Sequence, residues 1–233
     1  NRYFEPENLR AAIRVLRAAG YDVFAPTPAA GRPYCCGRTY LSAGMVDKAR
    51  AEAERLVMAL YPLARSGVRI VGLEPSCTLA LRDEVPALLG TAQAEAVAEA
   101  TLTFAELIEA DRPDLPMSAE ADGRPVKLHG HCHQKAFDLV KPAEAVLRDI
   151  AGAEVEVIET SCCGMAGAFG YGRDTYDVSI HMAEASLLPA VRAAPDDAAI
   201  VADGTSCRCQ IDDGTGREAV HLARHLDRLI SGC

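Results

Sequence analysis

Tryptophan is absent from the 233 residues, and aromatic side chains of all kinds make up 5%. A surface that stacks nucleic-acid bases needs aromatic platforms, so that class of function is disfavoured at once. Positive charge is also short. The formal net charge of -9 leaves no basic footprint for nucleic acid or anionic lipid. No run of 18 or more uninterrupted apolar residues exists, so no membrane span is visible. Asn1 opens no export signal, and a reducing cytosol is the expected setting, or the inner face of a membrane for a peripheral protein. There is no Ser-His-Asp order, phosphate loop or paired-carboxylate signal. What remains is ordinary for a globular chain, with 49% apolar and 24% charged residues. Its length suffices for one large domain or two of about 110 residues each.

Nine cysteines are an odd number and too few for a disulfide scaffold of this length. In a reducing compartment, clustered cysteines point instead to metal or redox chemistry. Here they fall into words. Tyr34-Cys35-Cys36-Gly37 and Ser161-Cys162-Cys163-Gly164 repeat one pattern. Each is followed by a Ser-Cys site: Cys77 lies 41 positions after Cys36, and Cys207 lies 44 after Cys163. Adjacent cysteines cannot bridge each other without strain. A word that recurs with its partner at nearly fixed spacing reads as an internal repeat built around a site.

The pattern predicts alternating helices and short buried strands. Helices are expected over 6–19, 45–63, 78–89 (interrupted by Pro86), 92–100, 103–109, 142–150, 176–191 and 219–230. Strands are expected over 21–24, 68–73, 126–128, 155–158 and 199–202. This order predicts an α/β fold of two pseudo-repeated, Rossmann-like βαβ halves with parallel sheets. The halves are expected at 1–120 and 121–233, joined through the proline-rich stretch 112–123. Every cysteine word follows a predicted strand, where ligands gather in such sheets. The first half lacks the strand and leading cysteine that open the second, so an upstream strand is expected to be missing.

In the second half Cys132, Cys162, Cys163 and Cys207, with Cys209 as a Cys-x-Cys partner, are candidate ligands. Four thiolates from three strand ends suit an iron–sulfur cluster or a tetrahedral zinc ion. Lys135, Arg173 and Arg208 are near enough in sequence to offset their charge. Gly164 and Gly167 would let backbone approach a cluster and offer amide donors to its sulfurs. Cys35, Cys36 and Cys77 make a first-half set one short of four. Either its fourth ligand lies upstream, or that half has lost its metal. His129, His131 and His133 flank Cys132. A mixed Cys/His site is open, but their period-two spacing fits a strand end packing on its surroundings. His221 and His225, four apart, fit a helix face.

These words resemble the CCG-type cysteine-rich domain. That family includes the CCG-bearing part of heterodisulfide reductase and the iron–sulfur component of glycolate oxidase. Leu73-Glu74-Pro75-Ser76-Cys77, His131-Cys132-His133-Gln134-Lys135 and Ser206-Cys207-Arg208 are most similar to the C-terminal part of fused FAD-linked oxidases with Fe–S oxidoreductase segments. The resemblance implies a 4Fe-4S-type cluster, with zinc as the alternative, and electron transfer for a 2-hydroxy-acid dehydrogenase acting on glycolate or D-lactate. It further implies FAD in the parent protein only, with a flavin-binding dehydrogenase domain or subunit and a ferredoxin-like Fe–S domain as partners. A quinone or another acceptor would receive the electrons. A zinc-holding or metal-free docking module is the alternative. The family pattern puts a leading cysteine before each Cys-Cys-Gly and often ends in Cys-x-x-Cys; here Cys77 stands alone and Cys207 is followed by Cys209.

Overall fold

A computed structural model describes residues 5–28, 31–118, 123 and 125–230. The chain forms two compact units. Val23–Phe104 is the smaller, and the chain on both sides of it makes the larger. The chain passes from one unit to the other at residues 22–23 and 104–105. Met117 bridges Ile230, and Ser118 N donates to Leu229 O at 2.7 Å, both within the larger unit.

Helix α1 (Pro6–Ala18) starts with proline in its first turn and buries Ala11, Ala12, Val15 and Leu16 along one stripe. The smaller unit follows with α2 (Arg38–Ser42), α3 (Val46–Arg65), β1 (Ile70–Gly72), α4 (Pro75–Arg82), α5 (Glu84–Leu89), α6 (Ala92–Ala100) and β2 (Thr101–Thr103). Strands β1 and β2 pair in parallel, Val71 opposite Leu102. Val57, Leu60, Val85 and Val97 form the unit's core.

The larger unit resumes with α7 (Phe104–Asp111), β3 (Pro125–His129), α8 (Cys132–Ala136) and α9 (Val140–Ala145). A π-helical turn at Val146–Ile150 leads to β4 (Glu154–Val157), α10 (Tyr176–Glu184), α11 (Leu187–Ala193), β5 (Ala199–Ala202), α12 (Thr205–Thr215), β6 (Ala219–Val220) and α13 (Leu222–Leu229). Its four strands are all parallel, in the order β4-β3-β5-β6. Leu187, Leu188, Ile200 and Ile211 pack a fully apolar core against this sheet. The chain leaves β3 for β4 on one side and then returns to place β5 on the other. That reversal creates a crevice at the carboxyl ends of β3 and β5, the position where open α/β sheets bind ligands.

The α/β class and the parallel sheets are as expected, and several elements differ in detail. Tyr21–Phe24 carries no strand pairing. Tyr21 N instead closes α1 onto Leu16 O, beside Gly20 at φ +83°. The helix expected over 176–191 breaks at Ser186, because Pro189 lacks an N–H and its ring crowds the Ala185 carbonyl. Pro86 acts likewise on Arg82, ending α4 there and restarting the chain as α5. The closing helix begins at Leu222, since Ala219 and Val220 pair with β5. Among the described residues no helix is long and apolar enough to cross a membrane.

Candidate metal centre

Three loops meet at the carboxyl ends of β3, β4 and β5, and each carries cysteine. After β3, His131 caps α8. Its Nδ1 accepts from His133 N at 3.1 Å, while Gln134 Oε1 accepts from His131 N at 3.0 Å. Of the three histidines only His129 is on the strand. His131 and His133 belong to the start of a helix, which the period-two reading did not foresee. The cap places Cys132 in the first turn of α8, its Sγ 3.9 Å from His131 Nδ1. Gln134 Nε2 reaches Asp203 Oδ2 at 2.9 Å, and Asp203 Oδ1 accepts from Leu222 N at 3.1 Å. One buried carboxylate thus joins α8, the end of β5 and the start of α13.

The loop after β4 is held from α8. Lys135 Nζ donates to Thr160 O at 2.5 Å, Thr160 Oγ1 at 2.9 Å and Ser161 O at 3.2 Å. The next two residues are Cys162 and Cys163. Gly164 N donates back to Cys162 Sγ at 3.4 Å. Gly164 has φ +88°, and a Cβ there would stand 2.1 Å from Ser179 O on α10. Its close approach is therefore to a helix backbone, whereas a Cβ on Gly167 would meet nothing within 4 Å.

After β5, Gly204 leads into α12, whose first turn holds Cys207, buried at 2% exposure. A Cβ on Gly204 would fall 3.2 Å from Cys207 Sγ and 2.5 Å from His131 Cδ2, so only glycine leaves that cradle open. Arg208, also buried, donates to Ala202 O at 2.7 Å through Nη1 and to Glu5 Oε1 at 2.8 Å through Nε; Nη2 pairs with Glu5 Oε2. Thr205 Oγ1 joins the same carboxylate at 2.9 Å. Burial pushes the Glu5 carboxyl up, but the Arg208 guanidinium outweighs it and holds the group below its ordinary 4.5. The stabilisation is thus fully present above pH 4.5 and is lost as pH falls through the lower folded value. Glu5→Gln is expected to cost about 1–2 kcal/mol at pH 7. In urea unfolding, the gap between wild type and variant should close as the pH falls below 4.5 and through the lower folded value; a gap constant with pH would sink the assignment.

Cys132, Cys162, Cys163 and Cys207 form a chain of neighbouring thiols in that order. Donation from Cys132 and Cys163 holds Cys162 far below the ordinary thiol range. Cys163, with His129 behind it, does the same for Cys207 against the cost of burial. Cys132 and Cys163 are pushed up, chiefly as donors to Cys162. The donor set is all sulfur, chemistry that suits a soft metal or an iron–sulfur group. The sulfurs follow one another rather than ringing a point. Among the described residues no three His, Cys, Asp or Glu side chains are grouped to hold a single ion.

Cys209 is elsewhere. Two residues beyond Cys207 on a helix, it turns to the opposite side and meets the hydroxyl of the exposed Tyr171. Cys233 lies outside the described residues. In the smaller unit Cys36 contacts both Cys35 and Cys77, and Cys77 sits in the first turn of α4 after β1. Gly37 N donates to Cys35 Sγ at 3.5 Å, and a Cβ on Gly37 would stand 2.7 Å from Ala49 O. Arg55 does here what Lys135 does in the larger unit. Its guanidinium donates to Arg32 O at 3.2 Å and to Pro33 O, just ahead of Tyr34 and Cys35. Residues 23–104 contain these three cysteines and no fourth. Thr160, Asp203, Glu5 and Arg55 carried no sequence signal, because each acts through a partner distant in sequence or through backbone; Gln134 stood in a quoted word without a role of its own.

Residues 126–212 match the cysteine-rich domain family known as CCG. The chain is 27% identical over 227 residues to the C subunit of anaerobic glycerol-3-phosphate dehydrogenase from Escherichia coli K12, covering 94% of this chain and 54% of that protein. It is 27% identical over 234 residues to D-2-hydroxyglutarate dehydrogenase of the same strain, covering 98% and 22%. The Pseudomonas putida KT2440 D-2-hydroxyglutarate dehydrogenase is 30% identical over 223 residues, covering 94% and 20%. The chain therefore spans about half the length of the first of these relatives and about a fifth of the others. The matched stretch holds all four contacting thiols and the three loops that bring them together: it is a CCG-type cysteine-rich domain.

Proposed function

We propose that this chain is the iron–sulfur electron-transfer module of a flavin-linked dehydrogenase. The observation that carries the reading is the run of four thiols, from three strand ends, at the crevice of the larger sheet. Cys132, Cys162, Cys163 and Cys207 would hold the cluster, which supplies one-electron carriage. A spread of sulfurs in sequence contact suits a group with several metal atoms better than one tetrahedral ion. The chain's own residues shape the place: Lys135 fixes the loop before Cys162, Arg208 fixes the turn around Cys207, and Gly204 leaves room between Cys207 and His131. The dehydrogenase names of the relatives support an oxidoreductase role, with a flavoprotein domain or partner protein as electron donor. Within that class the reading favours a 2-hydroxy acid such as glycolate, D-lactate or 2-hydroxyglutarate. A ferredoxin-like Fe–S domain would stand between flavin and this module, with a quinone or another acceptor beyond it. The set Cys35, Cys36 and Cys77, with three thiols, is proposed as a weaker or vacated second site.

Anaerobic purification with iron, sulfide and zinc analysis and electron paramagnetic resonance tests this. Iron with matching sulfide in the wild type, lost in Cys162→Ser, is the expected result. Zinc without iron, or no metal in the absence of oxygen, would overturn it in favour of a docking module.

A further inference from the structure

The larger unit contains a buried imidazole at the end of β3, beside the cysteine loops. His129 ends β3, is 1% exposed, and its Nε2 is buried without a hydrogen-bond partner. Its other nitrogen lies 3.2 Å from Thr160 Oγ1. That hydroxyl oxygen also accepts from Lys135 Nζ at 2.9 Å. The ammonium gives its other two protons to the carbonyls of Thr160 and Ser161, so all three donors are committed.

These contacts fix the direction of each bond. An ammonium has no lone pair and can only donate to Thr160. A hydroxyl polarised by a cation is strengthened as a donor, so its own proton turns to His129 Nδ1. A neutral imidazole that accepts at Nδ1 carries its proton on Nε2. The sulfur this ring acts on is Cys207, itself buried in the first turn of α12. An N–H left without an acceptor in such a place is costly, and the Cys207 sulfur beside the ring is the acceptor at hand.

We propose that His129 donates Nε2–H to the Cys207 sulfur, in a tautomer set from Lys135 through Thr160. His129 is then a positioning residue and not a ligand. The inference deepens the iron–sulfur reading, since a donor to a ligating sulfur favours the reduced, more negative state and raises its reduction potential. The relay also links two of the three cysteine loops to the helix of the third: Lys135 belongs to α8, Thr160 precedes Cys162, and Cys207 receives the final bond.

Two measurements on the full chain test it. Long-range nitrogen–proton NMR of the metal-free protein reads the tautomer of His129 without any cluster. Nε2–H is expected in the wild type and in Thr160→Ser, with loss of the pure tautomer in Thr160→Val. Redox titration of the anaerobically loaded chain should then show a lower midpoint potential in Thr160→Val and His129→Leu, with Thr160→Ser at the wild-type value. A wild-type ring protonated on Nδ1, an Nε2 proton lost on loading, or an unmoved potential in Thr160→Val would overturn the proposal. If the wild type takes up no iron, the electron-transfer reading fails, and the tautomer alone decides the role of His129.

Discussion

Gly164→Ala is expected to cost the larger unit about 2–5 kcal/mol, the upper part of which is enough to unfold a marginal domain. Two effects add. A left-handed backbone at φ +88° costs a side-chain-bearing residue roughly 1–2 kcal/mol. The added Cβ would also stand 2.1 Å from the Ser179 carbonyl oxygen, a backbone atom that cannot swing away as a side-chain tip does. Overpacking of that kind adds about 1–3 kcal/mol. Gly167→Ala is the control. It shares the left-handed backbone at φ +71° but meets open space, so only the strain of roughly 1–2 kcal/mol remains. Urea unfolding of the two variants separates the contributions. Equal losses would mean that α10 moves aside and that Gly164 is retained for conformation alone.

The second large effect is on metal content. Cys207→Ser should abolish iron uptake by the larger unit, whereas Cys209→Ser should leave it at the wild-type level. The two thiols are two residues apart, and a helix turns about 100° per residue, so they face opposite sides of α12. Cys207 points to Cys163 and His129; Cys209 points to Tyr171. Iron analysis after anaerobic loading reads the difference directly. Equal loss in both variants would show that α12 rewinds on loading and recruits Cys209. Arg208 offers a milder comparison: Arg208→Lys keeps the charge but not the fork that grips Glu5 and the Ala202 carbonyl, so loading should slow while the final iron content survives.

The cysteine words were legible because their chemistry is local: adjacent residues, a glycine, and a strand just before them. The parallel sheets followed from short apolar runs alternating with amphipathic helices. What escaped was set by distant partners. Cys209 read as a Cys-x-Cys partner because α12 was not foreseen; once Thr205 starts a helix, a spacing of two turns the thiols of Cys207 and Cys209 to different faces. Lys135 and Arg208 were noticed as charges, but their targets are the backbone carbonyls of Thr160, Ser161 and Ala202. No residue type announces a carbonyl as an acceptor. The three histidines showed a strand's period because β3 ends within the run, and a capping box then takes over at His131. Gly164 was legible as a special position, but its reason, the Ser179 carbonyl, lies on a helix 15 residues away.

The order of strands has a consequence for how the protein is made. The sheet runs β4-β3-β5-β6, so β3 leaves the ribosome first yet ends in the middle, with one flank open until β5 arrives. Cys132, Cys162 and Cys163 are all synthesised before that flank is closed, and Cys207 follows it on the next helix. A nascent chain halted before residue 207 would display three thiols on an unfinished sheet edge. Delivery of any metal is therefore best timed after α12 has emerged, when the last sulfur and the wall that shields the others arrive together.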